Sequence, residues 1–268
     1  MPHEMNAQNM GRVCLVGAGP GAADLLTLRA ARLIEGAQAL LYDALVGPEI
    51  LDMAPRGCVR IQTGKRGGRP SMRQETINKM MLRLARRGLN VVRLKGGDPS
   101  IFGRVHEERV FLERHGVEVE TVPGITAVCA AAAEFGIPLT HRGMARRLVL
   151  TTGRLQGGAM AAQQARELSD QDATLALYMG ADVAADAARQ LIESGRAAAT
   201  PVLIAEAVST SASRCTETSL QALAAGAGFD RGAGPVLLII GDVAALEASG
   251  HLSGQRGEHS LTIKRRSN

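Results

Sequence analysis

The sequence predicts an α/β fold in which two successive runs of strands and helices each build a mainly parallel or mixed sheet. Short apolar segments alternate with amphipathic ones in both halves of the chain, and connections of helix length allow neighbouring strands to pair in parallel. Four glycine-rich stretches directly follow predicted strands. With 268 residues, 46% of them hydrophobic, the chain is long enough for one large or two medium domains.

The first run contains five short apolar segments and four longer segments with helical periodicity. The predicted strands are 13–18, 37–43, 58–63, 90–95 and 117–122. The predicted helices are 24–36, 71–88, 103–115 and 124–136. Ser71 with Gln74 three residues later predicts a capping box at the start of the second helix, and Gly88 is suited to ending it.

The second run repeats the alternation. Its predicted strands are 147–153, 174–180, 201–207, 213–219 and 235–241, and its helices are 158–169, 182–195, 219–226 and 242–248. We expect two domains, 11–138 and 139–248, with segment 136–146 as a hinge between them. Residues 249–268 are rich in Gly, Ser and Arg, which predicts a flexible basic tail.

The first glycine-rich stretch has two interpretations. Read as Gly17-x-Gly19-x-x-Ala22, it fits a dinucleotide-binding fingerprint, and Asp43 lies 22 residues after Gly21, where that fingerprint needs an acid. However, Pro20 removes an N–H from the turn, and a pyrophosphate cradle depends on such donors. This argues for a different ligand.

The sequence contains three further glycine-rich stretches, so the prediction of a binding site does not depend on a single turn. They are GKRGG (64–68), KGGDPS (95–100) and VPGITA (122–127), and each follows a predicted strand. Ligands of open α/β sheets bind at the carboxyl ends of the strands, and glycine lets a backbone approach a ligand closely. The four stretches therefore predict a binding site at this edge.

Charge and composition limit the class of ligand that the protein can bind. The net charge is +5, which favours an anionic partner. Only two Tyr and four Phe are present, with no Trp, so a protein that stacks nucleic-acid bases is disfavoured. The four cysteines form no CxxC pair, and no metal site is expected. No apolar stretch is long enough to span a membrane, and we expect a cytoplasmic protein.

Several motifs together resemble one family. VGAGPG, LYDALV, GKRGG, RLKGGDP, VPGITA, GIPLTHR, YMG and PVLLIIGDV occur in this order from about 13 to 246. This set is similar to the tetrapyrrole methylases, and GKRGG, RLKGGDP and GIPLTHR in combination resemble the branch that methylates uroporphyrinogen III. The resemblance implies a homodimer that binds S-adenosylmethionine in a cleft between two α/β domains, releases S-adenosylhomocysteine, and uses no metal.

The implied reaction is C-methylation of uroporphyrinogen III at two ring carbons, which gives precorrin-2 through precorrin-1 and leads to sirohaem, cobalamin or haem d1. Its substrate carries eight carboxylates, which agrees with the basic loops. The alternatives are a methyltransferase that acts on a later precorrin, and a catalytically weakened protein that only binds the cofactor or a tetrapyrrole.

The resemblance also assigns residues. The family's cofactor-binding positions fall on Pro20, Gly96, Gly97, Asp98, Ile101, Thr126, Ala127, Met179 and Val208. Asp43 corresponds to a proposed proton acceptor. Lys65 corresponds to a proposed proton donor, and it is equally suited to binding a substrate carboxylate. Arg104 is expected to hold and orient a carboxylate, with Glu107 as its ion-pair partner or a proton acceptor. Arg142 completes the substrate-binding set.

The sequence departs from the family pattern at three places. Ala22 stands where the family usually has Asp after GPG, and Val105-His106 replace two glycines after FGR. Ser100 replaces an aromatic residue. His106 either lines the substrate cleft as a group that titrates near neutral pH or is an exposed helical residue. These departures motivate the alternative in which turnover is weakened.

Overall fold

The computed structural model describes residues 10–64, 72–153, 168–227 and 234–246. It contains two five-stranded sheets flanked by helices, which confirms the predicted α/β class. Each of the ten predicted strands is present, and no strand end differs from the prediction by more than two residues. No helix of these described ranges is long and apolar enough to cross a membrane.

The first sheet is entirely parallel. Its strands are β1 (Val13–Gly17), β2 (Ala39–Tyr42), β3 (Val59–Gln62), β4 (Val91–Lys95) and β5 (Val119–Val122), in the order β3-β2-β4-β1-β5. Gly17 pairs with Lys95, and Tyr42 pairs with Leu94. The loops that follow β1, β2 and β4 therefore leave the sheet at the same level.

The second sheet is mixed. Its strands are β6 (Arg147–Thr152), β7 (Ala173–Tyr178), β8 (Pro201–Glu206), β9 (Arg214–Ser219) and β10 (Val236–Ile240), in the order β6-β7-β10-β8-β9. Only β6 and β7 pair in parallel. Strands β7, β8 and β10 are almost fully buried, as their continuous apolar sequences predict.

Seven α-helices lie on these sheets. They are α1 (Leu28–Glu35), α2 (Pro48–Asp52), α3 (Gln74–Ala85), α4 (Val105–Arg114), α5 (Ala127–Phe135), α6 (Ala184–Glu193) and α7 (Leu220–Ala224), within the described ranges. The short helix α2, which begins with Pro48 at its first turn, was missed. Most of the predicted helix 158–169 lies outside the described residues.

Two segments predicted as α-helices contain 3₁₀ turns instead, wholly or in part. The helix expected over 24–36 is a 3₁₀ turn, Ala23–Leu25, followed by α1, whose first turn is capped by the Thr27 hydroxyl. The segment expected to be helical over 242–248 is a 3₁₀ turn, Asp242–Ala245. In the first segment the Thr27 cap begins a new helix, and in the second the extended backbone of Leu246 ends the turn.

The predicted capping box at Ser71 is wrong, because α3 begins at Gln74 with Arg73 as its N-cap. The Gln74 side chain instead donates hydrogen bonds to Asn78 and Glu108. The prediction for Gly88 is confirmed. Gly88 has φ +78°, and the N–H groups of Gly88 and Leu89 close a Schellman motif at the end of α3.

Helix α5 connects the two sheets. It follows β5 in the chain, yet its apolar residues Val128, Ala131 and Phe135 share a buried cluster with Leu203 and Ile239 of the second sheet. The carboxyl edge of the first sheet is therefore held against the second sheet by packed side chains.

Candidate active site between the two sheets

Loops from both sheets converge at the carboxyl edge of the first sheet. The Tyr178 hydroxyl, at the end of β7, lies 2.6 Å from Thr126 Oγ1 and accepts a hydrogen bond of 3.1 Å from the N–H of Val128. Phe102, in the loop after β4, lies with its ring centroid 5.3 Å from that of Tyr178. These contacts join the loops after β4, β5 and β7 into one region.

The first glycine loop does not form a dinucleotide cradle. Gly19 and Gly97 exchange two backbone hydrogen bonds, of 2.7 and 3.2 Å, and the N–H of Ala18 donates to the carbonyl of Lys95. Helix α1 begins only at Leu28, so the loop does not lead directly into the N-terminus of an α-helix. In addition, β1 lies between β4 and β5 rather than beside β2, unlike a dinucleotide-binding sheet.

Close packing of backbones explains two of the glycines, Gly17 and Gly124. A Cβ added to Gly124 would lie 2.3 Å from the carbonyl oxygen of Gly97 and 2.9 Å from Cα of Gly17. A Cβ added to Gly17 would lie 2.5 Å from the nitrogen of Gly124. The loops after β1, β4 and β5 therefore contact one another directly through their main chains.

The predicted cofactor residues after β4 form a rigid turn. Asp98 accepts hydrogen bonds from the N–H of Ser100 at 2.7 Å and the N–H of Gly124 at 3.0 Å. Gly97 has φ +68°, a conformation that favours glycine. The half-buried Ile101 donates its N–H to the carbonyl of Asp98. The Asp98 carboxylate thus holds two loops together.

The other predicted cofactor residues lie around the same region. Thr126 and Ala127 begin α5, and Pro20 lies half-buried in the first loop. Met179 follows β7 with φ +53° and 42% exposure. Val208, after β8, is buried. A large, exposed side chain in the left-handed conformation is unusual, and such strain clusters at functional sites.

Asp43 bridges the loops after β2 and β4. Its Oδ2 accepts a hydrogen bond of 3.1 Å from the N–H of Gly96, and its Oδ1 accepts one of 3.0 Å from the N–H of Leu45. A Cβ at Gly96 would lie 3.2 Å from the Leu45 Cβ. The half-buried carboxylate is therefore fixed at the carboxyl edge, directly beside the Gly96–Asp98 turn.

Arg104 and Glu107 form a bidentate ion pair at the start of α4. Arg104 Nε and Nη2 donate to the two carboxylate oxygens of Glu107 at 2.8 and 2.7 Å. Both side chains are more than half exposed. Arg104 has φ +57°, and the hydrogen bond from it lowers the pKa of Glu107. The guanidinium is thus held at the surface with N–H donors left for an anion.

A buried charge cluster, which was not predicted from the sequence, lies beneath this region. Glu108 is fully buried, and its carboxylate accepts hydrogen bonds from Lys95 Nζ at 2.9 Å, Gln74 Nε2 at 2.9 Å and Arg93 Nε at 3.4 Å. Burial lowers the pKa of Lys95, although the Glu108 carboxylate acts in the opposite direction. The cluster ties the first turn of α4 to the end of β4.

The sequence contained a signal for this cluster. Arg93 and Lys95 are two residues apart, so they lie on one face of a central parallel strand. Such a strand is covered on both faces, and a buried cation requires an acidic partner. An acidic partner is therefore expected in the layer of helices packed on this strand, on the helix that follows β4 in the chain.

Comparison with known proteins identifies the family. The family model described as Tetrapyrrole (Corrin/Porphyrin) Methylases matches residues 12–224. The chain belongs to the tetrapyrrole methylases. It is 44% identical over 237 residues to a uroporphyrinogen-III C-methyltransferase of Paracoccus denitrificans, covering 88% of this chain and 83% of that protein.

The relatives of this methylase also include longer proteins and proteins of known structure. It is 45% identical to a siroheme synthase of Azotobacter vinelandii, of which it spans only 51%. Its fold matches a Thermus thermophilus uroporphyrin-III C-methyl transferase complexed with S-adenosyl homocysteine, with a TM-score of 0.76 and 42% identity over 87% of this chain and 98% of that one. A cobalt precorrin-4 methyltransferase matches with the same TM-score at 27% identity, over 88% of this chain and 96% of that one.

The structure places the methylase's departures from the family pattern. Ala22 precedes the 3₁₀ turn, and its N–H donates to the Ser209 hydroxyl at 3.1 Å. Ser100 is exposed. Val105 is half-buried at the start of α4, while His106 is exposed, as its second interpretation expected.

Of the two remaining predicted substrate residues, one, Arg142, lies within the described ranges. Arg142 lines an open depression of about 340 Å³ with Thr140, His141, Ala145 and Arg146. Within the described ranges, no hydrogen bond joins Arg142 to Asp43 or Arg104. Lys65 lies outside the described residues.

Proposed function

We propose that this methylase transfers methyl groups from S-adenosylmethionine to two ring carbons of uroporphyrinogen III, which gives precorrin-2 through precorrin-1. The observation that carries the proposal is the 44% identity with a uroporphyrinogen-III C-methyltransferase across most of both chains. Because the chain spans about half of the siroheme synthases it matches, only the methyl-transfer activity is proposed.

The residues at the carboxyl edge fit S-adenosylmethionine. Leu45, Phe102 and Met179 are large apolar side chains that remain 40–57% exposed there, and exposed apolar groups in a cleft favour binding of a ring such as adenine. The turn at Gly96 and Gly97 offers backbone groups to the polar parts of the ligand. When bound, S-adenosylmethionine supplies an activated methyl group on its sulfonium.

The cofactor-binding set remains as predicted. Pro20, Gly96–Asp98, Ile101, Thr126, Ala127, Met179 and Val208 are proposed to surround the cofactor, since loops from both sheets carry them to one region. Catalysis then consists mainly of holding a pyrrole carbon in line with the methyl group.

Arg104 and Asp43 are proposed to act on the substrate. The exposed Arg104 guanidinium, oriented by Glu107, binds a substrate carboxylate through its remaining N–H donors. Asp43, whose oxygens are held by two backbone N–H groups, accepts the proton that the ring loses. Lys65 is proposed as a proton donor or carboxylate ligand, and Arg142 as a further carboxylate ligand.

Incubation with uroporphyrinogen III and S-adenosylmethionine under reducing conditions, followed by mass analysis, tests the proposal. We expect products with one and then two added methyl groups. Arg104→Ala is expected to lose most of the transfer while it binds S-adenosylhomocysteine nearly as well as the wild type. No methylated product from the wild-type protein would refute the proposed activity.

The same assay distinguishes the proposed function from two alternatives. The match to a cobalt precorrin-4 methyltransferase favours a later precorrin as a second candidate substrate, and activity only on such a substrate would establish it. Binding of S-adenosylhomocysteine without any methyl transfer would establish the weakened binding protein, which Ala22 and Val105-His106 motivate.

The domain organisation, the oligomeric state and the cellular location are also proposals. We propose two domains, 11–138 and 139–248, a basic tail at 249–268, and a homodimer, which size-exclusion chromatography with light scattering tests. The four cysteines are free thiols, which agrees with a cytoplasmic location.

A further inference from the structure

The loop after β8 has a strained backbone. Ala207 has φ +46° and Ser209 has φ +66°, so two non-glycine residues on either side of the buried Val208 adopt the left-handed conformation. Such a conformation persists only where the surroundings hold it. Thr210 contributes by donating its N–H and its hydroxyl to the carbonyl of Ala207.

Ser209 joins three segments of the chain. Its N–H donates to Oε2 of Glu134, on α5, at 2.9 Å, and its hydroxyl accepts a hydrogen bond of 3.1 Å from the N–H of Ala22. A Cβ at Gly21 would lie 2.7 Å from the carbonyl oxygen of Ser209. The loop after β1 and the loop after β8 therefore touch, across the two sheets, at this residue.

The hydrogen bond between Ala22 and Ser209 lies close to residues that are proposed to bind the cofactor. On the proposed function, Pro20 and Val208 contact the cofactor, and each lies within two residues of the Ala22–Ser209 hydrogen bond. The bond thus connects two walls of the cofactor cleft. It also gives the N–H of Ala22 a hydrogen-bond acceptor.

We propose that Ser209 is a positioning residue that latches the first glycine loop to the loop after β8 and thereby sets the width of the cofactor cleft. This inference rests on the proposed function only for the identity of the ligand. The latch consists of the Ser209 hydroxyl, the Ala22 N–H and the Glu134 carboxylate.

The test measures S-adenosylhomocysteine binding by calorimetry for the wild type, Ser209→Ala, Ser209→Gly and Ser211→Ala. Loss of the hydroxyl is expected to weaken binding about 2- to 12-fold, which corresponds to one hydrogen bond of about 0.5–1.5 kcal/mol. Ser209→Gly removes the left-handed strain as well, so weakened binding in a variant that is not less stable excludes misfolding as the cause. Ser211, an exposed serine of the same loop, is the matched control.

Two further readouts separate a latch from general stability. The Michaelis constant for S-adenosylmethionine is expected to rise in Ser209→Ala, while that for the tetrapyrrole stays unchanged. In the ligand-free protein, amide exchange at Ala22 is expected to be faster in Ser209→Ala and unchanged in Ser211→Ala.

The outcomes distinguish the two proposals. Equal binding by wild type and Ser209→Ala, with unchanged exchange at Ala22, overturns the latch. Wild-type binding without methyl transfer overturns the proposed function and leaves the latch in place. Absence of S-adenosylhomocysteine binding by the wild type overturns both.

Discussion

Replacement of Glu108 by Gln tests the buried charge cluster. The substitution keeps the shape of the side chain but removes the anion that faces Lys95 and Arg93, whose side chains are only 7% and 6% exposed. Removing one partner of a buried ion pair costs about 3–5 kcal/mol, because a charge is left without compensation. Since Lys95 can release its proton, we expect the lower end, a loss of about 3 kcal/mol in unfolding free energy near neutral pH.

The loss in Glu108→Gln is expected to shrink as the pH rises. Without the carboxylate, the pKa of Lys95 falls further below its unfolded value of about 10.4. Between these two values the unfolded chain binds more protons than the folded one, so stability increases with pH, by at most about 1.4 kcal/mol per unit. Urea unfolding at about pH 7 and about pH 9 measures both quantities.

Glu107→Gln is the matched control, one residue away on the same helix. Glu107 is half exposed and paired at the surface, so its replacement is expected to cost no more than about 1 kcal/mol. If Glu108→Gln destabilised the protein no more than this control, or if its deficit were independent of pH, the argument from buried charge would be refuted.

Three other predictions concern the loops of the site. Gly124→Ala is expected to cost about 1–3 kcal/mol or more, because its Cβ would meet the backbone at 2.3 Å; urea unfolding measures this, with Gly57→Ala, which has open space, as the neutral control. Arg104→Ala is expected to raise the pKa of Glu107, since the hydrogen bond from Arg104 lowers it; a carboxyl titration by NMR that shows no change would contradict this. Tyr178→Phe is expected to lose about 1–3 kcal/mol, because a backbone N–H of α5 loses its acceptor, and an unchanged melting temperature would contradict that account.

The strands were predictable from the sequence, whereas several helix ends were not. Most strands are short apolar runs bounded by turn residues, and the polar strand β9 is rich in Thr and bounded in the same way. Helix starts depend on single side chains. Gln74 was expected to be part of a capping box, but its amide is drawn to Glu108, a residue 34 positions later. Local sequence cannot reveal this competition, because the partner comes from tertiary packing.

The edge that carries the candidate site was predictable, whereas the contacts at this edge were predictable only in part. Glycine loops after parallel strands had to share one edge, and the loops after β1, β4 and β5 do so within the described residues. Backbone packing explains Gly17 and Gly124 as well as ligand approach does, and the positive φ of Gly97 explains that glycine. The Ser209 contact with Ala22 was not predictable, since it joins residues 187 positions apart.

The pair of backbone hydrogen bonds between Gly19 and Gly97 limits how this protein can be redesigned. Neither loop can be lengthened, shortened or replaced alone, because a change of one residue in either would move its glycine out of register with the other. A chimaera that takes the first glycine loop from a relative must therefore also take that relative's loop after β4. In this fold the unit of exchange is the pair of loops.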